Sequence, residues 1–438
     1  MYRKAIVELE KWKSSSNRKP LILRGARQVG KTWLLQEFGR KNYKTVAYVN
    51  LENDERVRSL FDLNFDTKRI INGIELATNT KISPEDTLII LDEIQEVPRA
   101  ITSLKYFNED APEYHIAVAG SLLGITLHEQ SSFPVGKVDF LDIHPLNFYE
   151  FLIAIGKDKL AEAILQQDFE LLAPFHDQII DYLKTYFVTG GMPAAVQNYL
   201  DEDNLLEVRR VQGDIITSYE QDFSKHAPKN VALKIQEIFN ILGQQLAKEN
   251  KKFIFKMLRE GARAKDYEMA LLWLEDAGIV RRVNRVNSLK LPLSVYANKD
   301  IFKLYMVDLG LLGAKVGLAP QTILDKNSLF VEFKGALTEQ FVFQELYSVD
   351  VNPFYYAKED SRGEIDFMID TNGVLVPIEV KSDRNTASVS FKNLMDSATD
   401  IKHGVKLTLL PYVDNGRILN IPLYAAATIK SLGGVADQ

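Results

Sequence analysis

A glycine-rich stretch near the start of the chain combines residue types that bind phosphate. It reads GARQVGKT and matches the pattern G-x-x-x-x-G-K-[ST] in full. Such a turn exposes a row of backbone N–H groups, and the helix after it adds a positive N-terminus, so both attract phosphate oxygens. The lysine would face the β- and γ-phosphates, and the last hydroxyl is a magnesium ligand. The predicted phosphate-binding residues are Gly25, Ala26, Arg27, Gln28, Val29, Gly30, Lys31 and Thr32.

Two acids follow an apolar run about sixty residues further along. The run, TLIIL at 87–91, predicts a buried parallel strand, and ligands of such sheets bind at the carboxyl ends of strands. Asp92 comes directly after it and is expected to hold Mg²⁺ together with Thr32. Glu93 comes next and is expected to polarise the attacking water as general base. ATP and Mg²⁺ are therefore the predicted cofactors.

The elements that must position these residues are also visible in the sequence. Apolar runs predict four further strands, and a polar residue, Ser121, follows one of them. Ser121 is the candidate for touching the γ-phosphate or the water, and a plain turn is the alternative. The predicted strands are 21–23, 45–49, 114–119 and 138–143.

A second group of residues suited to chemistry lies near the C-terminus. Asp366 is on one predicted strand, and Glu379 and Lys381 share one face of the next because side chains alternate along a strand. Glu339, on the helix before them, is expected to point toward the same site. Carboxylates suit Mg²⁺, which lowers the pKa of its bound water, and Lys381 would orient that water. The predicted metal ligands here are Glu339, Asp366 and Glu379.

The elements around this group have the order helix, three strands, helix, strand. With the spacing D-x₁₂-E-x-K, that order resembles the PD-(D/E)XK nuclease core, a restriction-endonuclease-like α/β fold. The resemblance implies a metal-dependent phosphodiesterase. Two alternatives remain open: an exposed hairpin with unrelated charges, and a nuclease-like fold without activity. The predicted elements are 331–347, 353–356, 362–370, 374–381, 391–395 and 405–409.

Between the two groups, the pattern predicts helices and then a β-ribbon. Helical stretches at 231–248, 253–259 and 266–277 precede a strand that starts at 279, which is the order of a winged helix. Residues 229–290 hold 13 Lys and Arg against 7 Asp and Glu, although the whole chain has a net charge of −6. The expected contacts with duplex or single-stranded DNA are Arg263, Lys265, Arg281, Arg282 and Arg285.

Three alternatives to DNA contact remain open for this basic segment. It could be a solvated helical face, it could pack against neighbouring domains, or it could bind an acidic protein.

The rest of the composition excludes several classes of site and favours one location. The absence of cysteine excludes disulfides, thiolate catalysis and Cys-ligated zinc. No apolar run approaches the ~20 residues of a membrane span, and the N-terminus lacks the apolar core of a signal peptide, so a cytoplasmic protein is expected.

Several motifs together resemble one family. The segments GARQVGKT, LIILDEIQ, GSLLG and HPLNFYEFL look like the bacterial and archaeal AAA-type ATPases that carry a C-terminal domain of unknown function. The resemblance covers nearly the whole chain. It implies an ASCE-type P-loop core, with the catalytic glutamate on a strand inserted between the Walker strands. It extends to the Gly190-Gly191-Met192-Pro193 turn, which in related ATPases sits near the nucleotide and transmits its state; a plain interhelical turn is the alternative.

The chain departs from that family just before the fifth strand. A Gly-Arg pair is usual there, and this sequence has Gly136 and Lys137. Lysine is a point charge and cannot make a planar bidentate contact, so an arginine-finger role is not expected at this position. Arg27 and Arg99 are the other candidates for that role.

The expected architecture is α/β throughout. It comprises a P-loop NTPase core of the ASCE/AAA type with a parallel sheet (1–155), a helical lid (156–226), a winged-helix-like domain (227–315) and a restriction-endonuclease-like domain (325–438). The leading hypothesis is an ATP-hydrolysing protein whose nucleotide state controls a DNA-binding or DNA-cleaving C-terminal half. The alternative is a regulatory nucleotide switch that binds a protein partner or a second copy of itself, with an inert nuclease-like scaffold.

Overall fold

The computed structural model describes residues 1–121, 134–247, 251–324, 331–357, 363–382 and 388–434. Part of the GSLLG segment lies outside these ranges, as does the first residue of the strand expected at 362–370. The chain divides into two compact units. The first comprises 2–144 with 276–279, and the second comprises 145–275 with 280–438.

The first unit is built on a parallel five-stranded sheet. The strands are ordered β2-β3-β4-β1-β5, and every residue of β3 is buried because apolar side chains face helices on both sides. All five strands expected from the apolar runs are present, with ends that differ by one residue at most. They are β1 (Leu21–Arg24), β2 (Thr45–Asn50), β3 (Thr87–Asp92), β4 (His115–Ala119) and β5 (Asp139–Asp142).

Within the described residues, five helices accompany this sheet, and local sequence signals set several of their ends. Asp54 caps α3 by accepting hydrogen bonds from Arg56 N and Val57 N, and Pro98 opens α5. Apolar side chains of α3 to α5 form one buried cluster with β2, β3 and β4. The helices are α1 (Ala5–Ser14), α2 (Lys31–Asn42), α3 (Glu55–Leu63), α4 (Thr67–Thr78) and α5 (Pro98–Asp110).

The strand order corrects one expectation taken from the family resemblance. The strand inserted between β1 and β3 is β4, because it pairs with both: Leu21 is opposite Ala117, and Leu88 is opposite His115. Glu93 directly follows β3 and so does not lie on the inserted strand. The inserted strand instead leads to Ser121.

The second unit begins with a run of helices, as the apolar periodicity predicts. The two glycines at 190–191 form a turn that binds inside this unit: Gly191 N donates to Asp308 Oδ2 at 2.7 Å. The helices of this unit are α6 (Phe148–Ala154), α7 (Asp158–Leu165), α8 (Phe169–Leu172), α9 (His176–Thr189), α10 (Pro193–Glu202), α11 (Leu205–His226), α12 (Lys229–Leu246), α13 (Ala264–Asp276), α14 (Leu309–Lys315), α15 (Pro320–Leu324), α16 (Val331–Tyr347) and α17 (Val389–Ser397).

These helices accompany an eight-stranded mixed sheet with the order β12-β13-β11-β10-β9-β8-β6-β7. The expected helix, three strands, helix, strand order is present from α16 to β11. The strands are β6 (Val280–Val286), β7 (Ala297–Met306), β8 (Phe354–Ala357), β9 (Glu364–Thr371), β10 (Val374–Val380), β11 (Gly404–Thr408), β12 (Val413–Asn415) and β13 (Ile418–Pro422).

The part expected as a winged helix differs from that pattern in two ways. Its second helical stretch is only a 3₁₀ turn, Phe255–Met257. Its β-ribbon, β6 and β7, is not free, because β6 pairs in parallel with β8 through Arg285 opposite Tyr355 and Val286 opposite Tyr356. One sheet therefore joins the ribbon to the C-terminal strands. None of the helices in the described ranges is both long and apolar enough to cross a membrane.

Candidate nucleotide site and C-terminal charge cluster

The loop between β1 and α2 has glycine at two positions where the backbone has a positive φ. Gly25 has φ +141°, and a Cβ there would lie 2.2 Å from the carbonyl oxygen of Ile143. Gly30 has φ +90° and is the N-cap residue of α2. The loop therefore ends at a helix N-terminus, as the glycine spacing predicts, and this is the geometry that attracts phosphate.

The lysine of the loop is folded back onto the loop's own carbonyl groups. Nζ of Lys31 donates to the carbonyl oxygens of Gly25 and Ala26, both at 2.9 Å, and the residue is 7% exposed. Burial lowers the pKa of Lys31 to about 8, although Glu93 and Asp92 raise it. These two carbonyl bonds hold the ammonium inside the loop, where phosphate oxygens can replace them.

The predicted magnesium ligands are in direct contact. The Thr32 hydroxyl donates to Oδ2 of Asp92 at 2.8 Å, and the Tyr48 hydroxyl donates to the same oxygen at 3.0 Å. Burial raises the pKa of Asp92, and the bonds from Thr32 and Tyr48 partly offset that rise. A hydroxyl and a carboxylate at the carboxyl end of a buried strand fit a hard cation such as Mg²⁺.

Glu93 is held by neighbours of its own. Its φ is +50°, and its Oε2 accepts hydrogen bonds from Gln95 Nε2 at 2.7 Å and from the Ser121 hydroxyl at 3.0 Å. Burial raises the pKa of Glu93, but these hydrogen bonds outweigh it and leave the pKa below its ordinary value. The carboxylate is therefore ionised and able to accept a proton. Ser121 contacts this acid, and its predicted contact with phosphate or water stays a prediction.

Four residues of this site were not found by sequence reasoning. Tyr48 and Gln95 touch the two acids, and Arg3 donates from Nη1 to the carbonyl oxygen of Val29 at 2.9 Å. Gly278, in the 276–279 segment of this unit, packs on the loop: a Cβ there would lie 2.9 Å from the backbone nitrogen of Ala26. Arg3 and Gly278 belong to no motif, and only the folded chain brings them to the loop.

In the second unit, the two predicted strands bring the C-terminal acids together. Pairing of Ile378 with Phe367 in the β9–β10 hairpin sets the register, and Val380 N donates to Oδ2 of Asp366 at 2.8 Å. Nζ of Lys381 is 2.8 Å from Oε1 of Glu379. Desolvation together with Glu339 and Glu379 raises the pKa of Asp366 well above its usual range.

Glu339 of α16 also reaches this cluster, but lysines hold it. Its Oε1 pairs with Lys251, and its Oε2 accepts from the Tyr305 hydroxyl at 3.2 Å and lies 3.5 Å from Nζ of Lys303. Burial would raise the pKa of Glu339, but Lys251 and Lys303 lower it below the usual range. Sequence reasoning missed both lysines, since neither belongs to a motif.

The fit of this cluster to a metal ion is partial. Within the described ranges, no group of three or more His, Cys, Asp or Glu residues is arranged to hold a metal. Glu339 is in hydrogen-bond contact with Asp366 and is paired with lysines, so its predicted role as a metal ligand stays a prediction. Oε2 of Glu379 is buried and has no hydrogen-bond partner among the described residues. An orphaned carboxylate oxygen beside Asp366 fits a cation bound by these two acids.

Comparison with known families identifies part of the chain. Residues 17–152 match the AAA domain family. This range contains the phosphate-binding loop, Asp92, Glu93 and all five strands of the parallel sheet. This part of the chain is an AAA domain. Two further matches are to domains of unknown function, DUF8612 over residues 180–322 and DUF4143 over residues 334–424, so the nuclease-like identity of the C-terminal part stays a prediction.

Solved structures with some likeness to the chain include three archaeal proteins. The Walker-type ATPase PABY2304 of Pyrococcus abyssi is 13% identical over 72% of this chain and 95% of that one, with a TM-score of 0.46. The Orc1 protein of Aeropyrum pernix in complex with DNA is 14% identical over 72% of this chain and 93% of that one, with a TM-score of 0.28. Cdc6p of Pyrobaculum aerophilum is 11% identical over 73% of this chain and 92% of that one, with a TM-score of 0.25. No curated protein matches the chain.

One arginine-finger candidate of the AAA domain is engaged within the domain itself. Nε of Arg99 donates to the carbonyl oxygen of Phe61 at 2.6 Å, and the guanidinium lies over the ring of Phe65. Lys137 forms an ion pair with Glu109 at 3.0 Å. A finger must reach a neighbouring nucleotide, so these contacts disfavour Arg99 and Lys137 for that role, and the role of Arg27 stays a prediction.

The five basic residues predicted to contact DNA differ in their exposure and in their contacts within the second unit. Arg281 donates to the Tyr347 hydroxyl, and Arg282 pairs with Glu275 at 2.6 Å and Glu268 at 3.1 Å. These two arginines are committed to contacts inside the second unit and are poorly placed for phosphate. Arg285 is half-buried in β6, whereas Arg263 and Lys265 are exposed. The prediction of DNA contact therefore rests on Arg263 and Lys265.

Proposed function

We propose that the AAA domain binds and hydrolyses ATP, and that its nucleotide state controls the C-terminal half of the chain. The observation that carries the proposal is the 2.8 Å contact between Thr32 and Asp92, beside Lys31 and Glu93. This contact joins the end of the phosphate-binding loop to the end of β3, which is the arrangement that phosphoryl transfer from ATP requires.

The proposed mechanism follows from the contacts of these residues. Lys31 would exchange its two carbonyl acceptors for phosphate oxygens, and Thr32 and Asp92 would hold Mg²⁺. The ion, when bound, neutralises charge that develops on the phosphates. Glu93 then accepts a proton from water, the water oxygen bonds to the γ-phosphorus, and the bond to the bridging oxygen breaks. Ser121 and Gln95 both donate to Oε2 of Glu93, so Oε1 is the oxygen that would accept this proton.

Control of the C-terminal half is proposed to pass through the chain itself. Residues 276–279 pack on the phosphate-binding loop through Gly278. They are covalently continuous with α13 on one side and β6 on the other. A shift of the loop on binding phosphate would therefore displace residues 276–279, and this segment continues into the second unit. ATP turnover by wild-type protein and by Lys31→Ala, with and without DNA, tests the proposal; turnover that does not depend on Lys31 would refute it.

A second candidate function is a metal-dependent phosphodiesterase at the C-terminal cluster. The observation that favours it is the buried, unpartnered Oε2 of Glu379 beside Asp366, with Lys381 2.8 Å from the other Glu379 oxygen. Asp366 and Glu379 would hold one Mg²⁺, and Lys381 would orient a water toward the phosphorus. Plasmid and single-stranded DNA should then be cut by wild-type protein and left intact by Lys381→Ala. If no cleavage is seen while ATP is hydrolysed, the scaffold alternative with a protein partner is favoured.

A further inference from the structure

A fully buried lysine lies beside the C-terminal carboxylates. Lys303 is on β7, and its side chain has no exposed surface. Its ammonium nitrogen is 2.5 Å from Oε1 of Glu364, 3.5 Å from Oε2 of Glu339 and 4.9 Å from the centre of the Tyr355 ring. Among the described residues it finds no hydrogen-bond acceptor of good geometry. An ammonium removed from water is tolerated only beside anions. The Lys303 ammonium is therefore held in this cluster by electrostatic attraction to the carboxylates.

The helix side of the cluster is closed by this lysine and a second one. Lys251 pairs with Oε1 of Glu339, and Lys303 and Tyr305 face Oε2. A metal ion that used Glu339 would have to displace a buried ammonium and leave it without a counter-ion. Removing one partner of a buried pair in this way is strongly unfavourable.

The hairpin side of the cluster is different. Oε2 of Glu379 has no partner within the described ranges, and Lys381 pairs with Oε1 of the same carboxylate. Asp366 accepts from Val380 N at 2.8 Å and is also in side-chain hydrogen-bond contact with Glu339. This side therefore keeps one buried carboxylate oxygen, Oε2 of Glu379, that a cation can take.

We infer that Lys303 serves as a built-in second cation of this site: it neutralises Glu339 and Glu364, so that the cluster accepts a single divalent metal ion, at Asp366 and Glu379. Two-metal phosphodiesterases hold ions about 3.5–4 Å apart with shared carboxylates. Here the carboxylate that a second ion would share is already neutralised. The inference rests on the phosphodiesterase candidate proposed above and specifies the metal stoichiometry of that site. Lys303 is thus a positioning residue.

Mn²⁺ binding to the nucleotide-free full chain tests this inference. Equilibrium dialysis of wild-type protein against Asp366→Asn should show that one bound Mn²⁺ depends on Asp366. The electron paramagnetic resonance spectrum of that ion should be that of isolated Mn²⁺. In Lys303→Met a second ion should bind and couple magnetically to the first. Lys315→Met is the matched control, because Lys315 is buried elsewhere in the same unit, beside Glu220 and the Phe239 ring.

The outcomes separate the inference from the candidate function beneath it. Two coupled, Asp366-dependent ions in wild-type protein would overturn the inference and leave the phosphodiesterase candidate standing. No Asp366-dependent ion in wild-type protein would overturn both. A coupled pair in Lys315→Met as well as in Lys303→Met would also overturn the inference, since any lost lysine would then suffice. The wild-type spectrum decides the question even if Lys303→Met does not fold.

Discussion

The Thr32 hydroxyl donates to Oδ2 of Asp92 at 2.8 Å, although the two residues are 60 positions apart in the chain. The contact joins the first helical turn of α2 to the last residue of β3. Parallel strands with their carboxyl ends at one edge of the sheet make this contact possible. The proposed ATP site is built around this contact, with Lys31 and Glu93 on either side.

Lys31→Ala should abolish ATP binding or reduce hydrolysis by at least about 100-fold, because it removes the ammonium that is expected to face the β- and γ-phosphates. The measurement is nucleotide-dependent thermal stabilisation together with phosphate release. Lys41→Ala, which removes an exposed lysine from the same helix, is the control and should match wild type. Equal ATP stabilisation in Lys31→Ala and wild-type protein would exclude the loop as the site.

Gly278→Ala should weaken ATP binding. The new Cβ would lie 2.9 Å from the backbone nitrogen of Ala26, and a φ of +74° adds strain of about 1 kcal/mol. Gly261→Ala is the matched control, since its φ is +77° but no described atom lies within 4 Å of the new Cβ. Isothermal titration with ATP should show a loss only in Gly278→Ala. Equal losses in both variants would mean that strain, and not contact with the loop, is responsible.

Binding to duplex DNA, if it is ionic, should depend on Arg263 and Lys265. Replacing both with Ala should reduce the slope of log affinity against log salt by about two units, roughly one for each lost phosphate contact. Arg281→Ala with Arg282→Ala should leave that slope unchanged and lower the melting temperature, because these arginines pair with Tyr347, Glu275 and Glu268. The reverse pattern would show that the internal contacts are broken in the complex.

The stability of the second unit should fall as pH rises between about 4.5 and 8. Burial is the main cause that raises the pKa of Glu345 to about 8, so the folded state holds a proton that the unfolded state releases above about 4.5. The contribution of this proton to the free energy of unfolding is complete below about pH 4.5. It is lost as pH rises toward 8, by up to about 1.4 kcal/mol per pH unit. Thermal unfolding of Glu345→Gln should lack this component. Glu170→Gln removes an exposed glutamate and is the control, which should behave as wild type. If Glu345→Gln kept the wild-type pH profile, the buried proton could not be that of Glu345.

The sequence predicts where the two acids of the proposed nucleotide site lie in the fold, because they are at the end of a strand. An apolar run such as 87–91 announces a buried parallel strand, so the positions of Asp92 and Glu93 follow from the chain alone. Tyr48 and Arg3 could not be found this way. Tyr48 resembles any aromatic residue of a half-buried strand, and Arg3 reaches Val29 only after α1 has packed.

In the C-terminal cluster, too, the sequence does not reveal contacts between segments that are far apart in the chain. The two-residue period of a strand places Glu379 and Lys381 together, but it says nothing of a lysine on a distant strand. Lys303 is buried because β6 pairs with β8, and that pairing joins segments about seventy residues apart. The same long-range pairing explains why the expected free wing is part of a larger sheet.

Single-turnover ATP hydrolysis by Glu93→Gln tests the central claim most directly. The amide is nearly isosteric with the carboxylate but cannot accept the proton of the attacking water. The variant should bind ATP as wild-type protein does and hydrolyse it about 100- to 10,000-fold more slowly. Glu113→Gln, an exposed change in the same unit, should leave the rate unaltered. Hydrolysis by Glu93→Gln at the wild-type rate would contradict the account.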